Sequence, residues 1–218
     1  VPRFARAGAY VVNCAISPTV SLRDWPYEQN AGLGGSGAWA LLNGKDGVGS
    51  ELDLGVGWQD PAVISETGLC VWRSRRRPEL ELKHNGEFLR GRLALHWTGA
   101  PHNTPDLVTL PRDYDAIARA GATARDAVWR SDLAMLADAV RQSYANVQRP
   151  EGMAALPGDP LATGAARTVL PAAVKPLACK YCGGGFVGYA VYVFAEQSQR
   201  DAACALPEVD CDLGVATW

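Results

Sequence analysis

The chain contains no apolar run near the roughly 20 residues that a membrane-spanning helix requires, so no membrane partner is expected. It carries no charge excess either. Its 21 Lys and Arg against 23 Asp and Glu leave a net charge of −2, which argues against a general nucleic-acid or anionic-membrane surface. Histidine is scarce, and the three present (His84, His96 and His102) lack the mutual spacing of a metal site. The opening residues Val1 to Arg6 lack the long apolar core of a secretory leader. Six cysteines in 218 residues do not make a disulfide scaffold, so a reducing cytoplasm is the expected location. There is no fixed-period repeat and no long low-complexity tract. What remains is ordinary globular composition, 48% hydrophobic and 20% charged, with ample length for a real core.

The most distinctive stretch that is present runs from Asn30 to Leu42. Gly32, Gly34, Gly35 and Gly37 put four glycines in six residues, so backbone N–H groups can approach a ligand with no Cβ in the way. Ala38 to Leu42 is helix-forming, so the loop is expected to open onto a helix N-terminus, where free amides and the positive end of the helix dipole favour an anion. Ser36 adds a hydroxyl where a phosphate-bound Mg²⁺ would need an oxygen ligand. The alternative is a glycine-rich turn that merely packs close to its neighbour. No Lys-Ser or Lys-Thr follows the glycines, so this is not a Walker A loop, and the Rossmann spacing is absent too.

Around that loop the patterning predicts strands and helices in mixed order. Gly8 to Ile16, Leu69 to Arg73, Leu80 to Lys83, Arg92 to Thr98, Leu177 to Cys182 and Gly188 to Ala195 read as strands. The third and fourth of these are expected to meet through a turn at Asn85-Gly86. The segment from Gly188 is apolar on both faces, so it belongs in the middle of a sheet. Asp60 suits a helix N-cap with Pro61 at the first helical position, giving a short helix to Thr67. Pro111 to Trp129 and Ser131 to Tyr144 read as helices, the second with Leu133, Leu136, Ala137, Val140 and Tyr144 at helical spacing and Ser131 or Asp132 as its cap. The break near Arg130 predicts an antiparallel helix pair. Gln148 to Pro160 reads as loop, Leu161 to Val174 as a helix interrupted by Pro171, and Gln197 to Ala205 as a last helix. Without regular βαβ alternation the class is α+β, with mixed or antiparallel sheets packed against helices.

Three glycine-rich sites in order give the chain a resemblance to the GHMP kinase superfamily, which includes galactokinase, homoserine kinase and mevalonate kinase. Ala31-Gly32-Leu33-Gly34-Gly35-Ser36-Gly37-Ala38 resembles the family's phosphate loop, usually Gly-Leu-Gly-Ser-Ser-Ala. Gly57-Trp58-Gln59-Asp60 resembles the Gly-x-x-Asp-Gln segment bearing the catalytic aspartate, and Lys180-Tyr181-Cys182-Gly183-Gly184-Gly185-Phe186 resembles the third, glycine-rich motif. Ala94-Leu95-His96-Trp97-Thr98-Gly99 followed by helices is similar to the branch of D-glycero-D-manno-heptose 7-phosphate kinases and fucokinase. The resemblance implies a trimmed GHMP-kinase-like unit over residues 1–218, with a phosphate-loop half at 1–68 and a C-terminal α+β half at 69–218.

It also implies an ATP-dependent phosphotransferase acting on a hydroxyl of a sugar or sugar phosphate. Gly32, Leu33, Gly34, Gly35, Ser36 and Gly37 would hold the ATP phosphates, Asp60 would be the general base, and Ser36 with Glu51 (or Asp53) would meet Mg²⁺. Trp58, Gly183, Gly184 and Gly185 would lie at the substrate. The partner implied is a small molecule, with a homodimer as an option.

Departures from the family pattern are visible. Gly35 replaces the first Ser of the loop and Pro61 the usual Gln. The stretches from Ile16 to Gly32 and from Leu42 to Gly57 are short, and the family's first motif would precede Val1. A non-catalytic nucleotide- or sugar-binding protein of the same fold is therefore the alternative. Cys179 and Cys182 read as buried thiols, because strand positions three apart face opposite sides and no second ligand pair is evident.

Overall fold

The structure, a computed structural model, describes residues 10–15, 62, 68–75, 78–98, 110–159, 174–182 and 185–205. In chain order the described elements are β1 (Tyr10–Ala15), β2 (Gly68–Arg73), β3 (Glu79–His84), a 3₁₀ turn (Glu87–Leu89) and β4 (Leu93–Trp97). They continue with α1 (Tyr114–Arg130), α2 (Leu133–Ser143), a π-helical turn (Tyr144–Gln148), β5 (Ala178–Tyr181), β6 (Tyr189–Val193) and α3 (Gln197–Cys204). They fall into two compact units. One holds β1 to β3 and α1 as far as Arg125; the other holds β4 and the chain from Asp126.

In the first unit β2 lies between β1 and β3, both antiparallel to it. Leu69, Cys70, Val71 and Trp72 are all buried, as a central strand covered on both faces demands. β3 is the outer strand of this described sheet, and its register shifts between Val71↔Leu82 and Trp72↔Leu80, leaving Glu81 as a bulge. Glu81 meets Arg125 of α1 at 3.3 Å. Of the basic run Arg73 to Arg77, Arg75 is exposed and pairs with Glu79 at 3.2 Å, whereas Arg73 is partly buried and Ser74 is buried. An exposed ion pair of this kind contributes little to stability.

The expected turn at Asn85-Gly86 exists but does not make a hairpin. Gly86 takes φ +71, which a side chain would resist, and it opens the 3₁₀ turn that buries Leu89. β3 and β4 then enter different sheets. An eight-residue connection lets the chain change sheets, whereas the two-residue turn of a tight hairpin would not.

In the second unit β6 is central, flanked by β4 and β5, and both pairings are antiparallel. Strand alternation sorts the side chains cleanly. Leu93, Val193 and Ala178 share one face and pack with Leu133, Ala137 and Val140 of α2. Ala94, Ala190, Tyr192, Cys179 and Tyr181 share the other, within a larger buried cluster that includes Tyr144, Met153, Leu156 and Phe194.

Both long helices are capped by aspartate. Asp113 Oδ1 accepts from Ala116 N at 2.9 Å, so α1 starts at Tyr114 and not at Pro111. Asp132 Oδ1 accepts from Met135 N at 2.9 Å, which settles the cap of α2, while Ser131 takes φ +53 in the break. The antiparallel helix pair expected from that break is not the packing unit. α2 runs straight into the π-helical turn and packs on β5, because its apolar stripe matches Leu177, Ala178 and Val193. Of the short helix expected from Pro61 only Ala62 is described, helical and buried. The helix expected over Leu161 to Val174 lies outside the described residues apart from Val174, which is buried.

Leu136 is buried on α2, whereas Val140 is only partly so. Leu136→Ala should destabilise the fold by roughly 2–5 kcal/mol, the range for a large-to-small core change. Urea denaturation of the variant beside the wild type measures this directly.

Candidate functional site

Of the residues that the sequence nominates for function, the described part of the structure contains one, Gly185. Asp60, Trp58, Gly32, Leu33, Gly34, Gly35, Ser36, Gly37, Glu51, Gly183 and Gly184 all lie outside the described residues. The site that can be built from the chain upward is therefore the glycine turn between β5 and β6, and what supports it.

The ladder brings the ends of the turn together. Cys182 N donates to Tyr189 O at 2.8 Å, Gly185 N donates to Cys182 O at 3.1 Å, and Val187 N donates to Gly185 O at 3.0 Å. Gly185 takes φ +86, and a Cβ built there would lie 2.5 Å from Met153 Sδ. The backbone conformation favours glycine, and the thioether end of Met153 would have to move to admit a Cβ. Phe186 also takes a positive φ, +68.

β5 is the outer strand of its described sheet, so half of its peptide groups turn away from β6. Tyr181 is such a residue, and Gln148 fills the place of a neighbouring strand. Gln148 Nε2 donates to Tyr181 O and Gln148 Oε1 accepts from Tyr181 N, each at 2.9 Å. The π-helical turn makes this geometry. Arg149 N donates to Tyr144 O at 2.9 Å, and the wider turn lets Tyr144, Val147 and Gln148 all face inward.

The loop from Arg149 to Asp159 is tied down by three tyrosines from the same cluster. Tyr144 Oη accepts from Leu156 N at 2.9 Å and donates to Ala154 O at 3.4 Å. Tyr181 Oη donates to Ala154 O at 3.2 Å, and Tyr192 Oη donates to Pro157 O at 2.8 Å. Arg149 donates a further bond to Met153 O. Burial pushes the hydroxyl pKa of all three tyrosines above the ordinary value. His96, buried on the same face, meets the Tyr192 ring edge-on at 6.1 Å.

Neither Cys179 nor Cys182 is in a disulfide, and the expected burial holds for Cys179 alone. Cys179 is buried, and burial raises its pKa; Cys182 is partly exposed. Among the described residues no group of three His, Cys, Asp or Glu could hold a metal, and no helix is long and apolar enough to cross a membrane.

Gln148 and Met153 were not legible as site residues. Gln148 is the one amide among three inward positions, but only the π-helical turn turns it inward. A continued α-helical reading of Tyr144 to Gln148 gives no such signal.

No protein-family model matches the chain, and no curated protein matches it. Among solved structures it is similar to the L. major mevalonate kinase in complex with R-mevalonate, with 16% identity and a TM-score of 0.53. That likeness covers 81% of this chain and 63% of the mevalonate kinase, so the chain spans less than two thirds of that protein's length. A D-glycero-D-manno-heptose 1-phosphate kinase from Bacteriodes thetaiotaomicron gives 15% identity and a TM-score of 0.48, over 76% of this chain and 49% of that one. The fold is α+β and GHMP-kinase-like, with the described sheets antiparallel throughout.

Two outcomes follow from this geometry. Gly185→Ala should destabilise by about 1–3 kcal/mol through left-handed strain and overlap with Met153. In a double-mutant cycle with Met153→Ala the overlap part should be recovered and the strain part should not, giving a compensating coupling of about 0.5–3 kcal/mol. The tyrosines set the alkaline limit. Their folded pKa values lie above the unfolded value of about 10, so above that pH the unfolded chain releases protons that the folded chain keeps. Stability should therefore begin to fall above the unfolded thiol value of about 8.5 through Cys179, and fall more steeply past 10, by up to about 1.4 kcal/mol per pH unit for each tyrosine. Urea midpoints from pH 8 to 11 measure the slope, and Tyr192→Phe should make it shallower.

Proposed function

We propose that the chain is a small-molecule kinase that transfers a phosphoryl group from ATP to a hydroxyl of a sugar or sugar phosphate, working as one unit over residues 1–218. The observation that supports this reading is the GHMP-kinase-like fold in a chain whose three glycine-rich segments follow in the order the kinases use. A glycine turn between antiparallel strands, backed by a locked loop, suits a fixed wall beside a phosphorylated ligand. Phosphoryl transfer asks the protein mainly for positioning and charge stabilisation, which backbone amides and one carboxylate can supply.

In this reading Gly32 to Gly37 bind the phosphates through backbone N–H groups, and Gly34 and Gly35 keep the approach free of side chains. Ser36 and Glu51 offer hydroxyl and carboxylate oxygens, a hard donor set that suits Mg²⁺. ATP with Mg²⁺ supplies the transferable phosphoryl group and the charge that offsets its oxygens. Asp60 holds the acceptor hydroxyl and takes its proton, while Trp58 and Gly183 to Gly185 flank the acceptor.

The test is ADP release with ATP, Mg²⁺ and a panel of sugars and sugar phosphates, wild type beside Asp60→Asn. The variant keeps size and N-capping ability but loses the base. It should melt within a few degrees of wild type, bind ATP comparably, and turn over about 10²–10⁴-fold more slowly. Equal rates would remove Asp60 from the role of base. ATP binding without ADP release from either protein would favour a non-catalytic nucleotide-binding protein.

A further inference from the structure

Among the described residues Gln148 is linked to both ends of the glycine turn, to one directly and to the other through Met153. Its side-chain amide holds the Tyr181 peptide from both sides at 2.9 Å, one residue before the turn begins at Cys182. Its backbone carbonyl accepts from Met153 N at 3.1 Å, and Met153 is the residue packed under Gly185, where the turn closes. Its Nε2 also lies 3.7 Å from the position a Cβ on Gly185 would take. A side chain present only to fill space in a cluster of Tyr, Met, Leu and Phe would be apolar. A buried neutral amide is the group that matches a peptide donor for acceptor and acceptor for donor.

We propose that Gln148 is a positioning residue for turnover, holding Cys182 and Gly185, where the chain enters and leaves the turn, at the geometry that the reacting groups require; this rests on the phosphotransferase reading. It touches no substrate and acts through the Tyr181 peptide and Met153. Small displacements of a positioning element can lower a rate by about 10²-fold while leaving the fold in place.

The experiment compares wild type, Gln148→Leu and Gln148→Glu in ADP release across pH 5 to 9, with thermal melts and amide exchange at Tyr181. Gln148→Leu should lower kcat by about 10–100-fold with the KM for ATP changed less than threefold, and should speed exchange at Tyr181. Gln148→Glu separates positioning from simple packing. A protonated carboxyl donates once and accepts once, as the amide does, whereas a carboxylate can only accept. Burial beside the Tyr181 carbonyl raises the carboxyl pKa, so the folded variant holds its proton above the unfolded value of about 4.3. Its kcat should therefore approach wild type at pH 5 and fall as pH rises through the folded pKa, a profile that wild type lacks.

Equal kcat for wild type and Gln148→Leu, or a Gln148→Glu profile parallel to wild type, would overturn the inference and leave the kinase reading standing. No ADP release from wild type would overturn both. If Gln148→Leu does not fold, the pH profile of Gln148→Glu decides alone.

Discussion

One side-chain amide stands in for a strand. β5 ends the second described sheet, and an edge buried in an apolar cluster leaves outward-facing peptide groups with neither water nor a neighbour. Each such group left unpaired costs about 1–3 kcal/mol. Gln148 removes that cost for Tyr181 with two bonds from a single residue. The rest of the described site depends on that pairing. It fixes where the strand ends, hence where Cys182 starts the turn, hence how Gly185 meets Met153. The π-helical turn delivers Gln148 to this place.

How much of this was legible depends on which physical signal each element carries. β6 was readable because burial on both faces leaves no polar alternation, and it is indeed central. The capping aspartates were partly readable: Asp132 was one of two candidates, while Asp113 displaced Pro111 as the start of α1 because a carboxylate satisfies an amide and a proline only avoids one. The partner of β4 was not readable. Sequence proximity favours β3, but β4 pairs with β6, some ninety residues on, because pairing there buries Ala94 and Leu93 against opposite covers. Local turn chemistry at Asn85-Gly86 says that the chain bends and says nothing about which sheet it enters.

The candidate site divides along the same line. Glycine-rich segments announce themselves by composition, so the turn before β6 was recognised, and Gly185 carries both the positive φ and the close contact that explain its identity. The residues that support the turn were hidden. Tyrosine in a helix, a loop-bound methionine and a glutamine after Val147 are unremarkable one by one. Their roles come from a widened helical turn and from hydroxyls reaching carbonyls that the sequence does not pair. The fold resembles that of a mevalonate kinase at 16% identity, a level at which backbone architecture persists while most side chains differ.

The loop from Arg149 to Asp159 has the composition of a segment that proteases cut and that tolerates added residues, with two prolines and two glycines and no regular structure of its own. Its backbone is nevertheless held at Ala154, Leu156 and Pro157 by buried hydroxyls. A protease must draw out about ten residues of extended chain to engage such a segment, and here that requires withdrawing three tyrosine contacts together. Changes in loop length are constrained in the same way, since one inserted residue would carry each carbonyl past the hydroxyl that meets it. A stretch that looks free to drift in length is among the least free parts of the described chain.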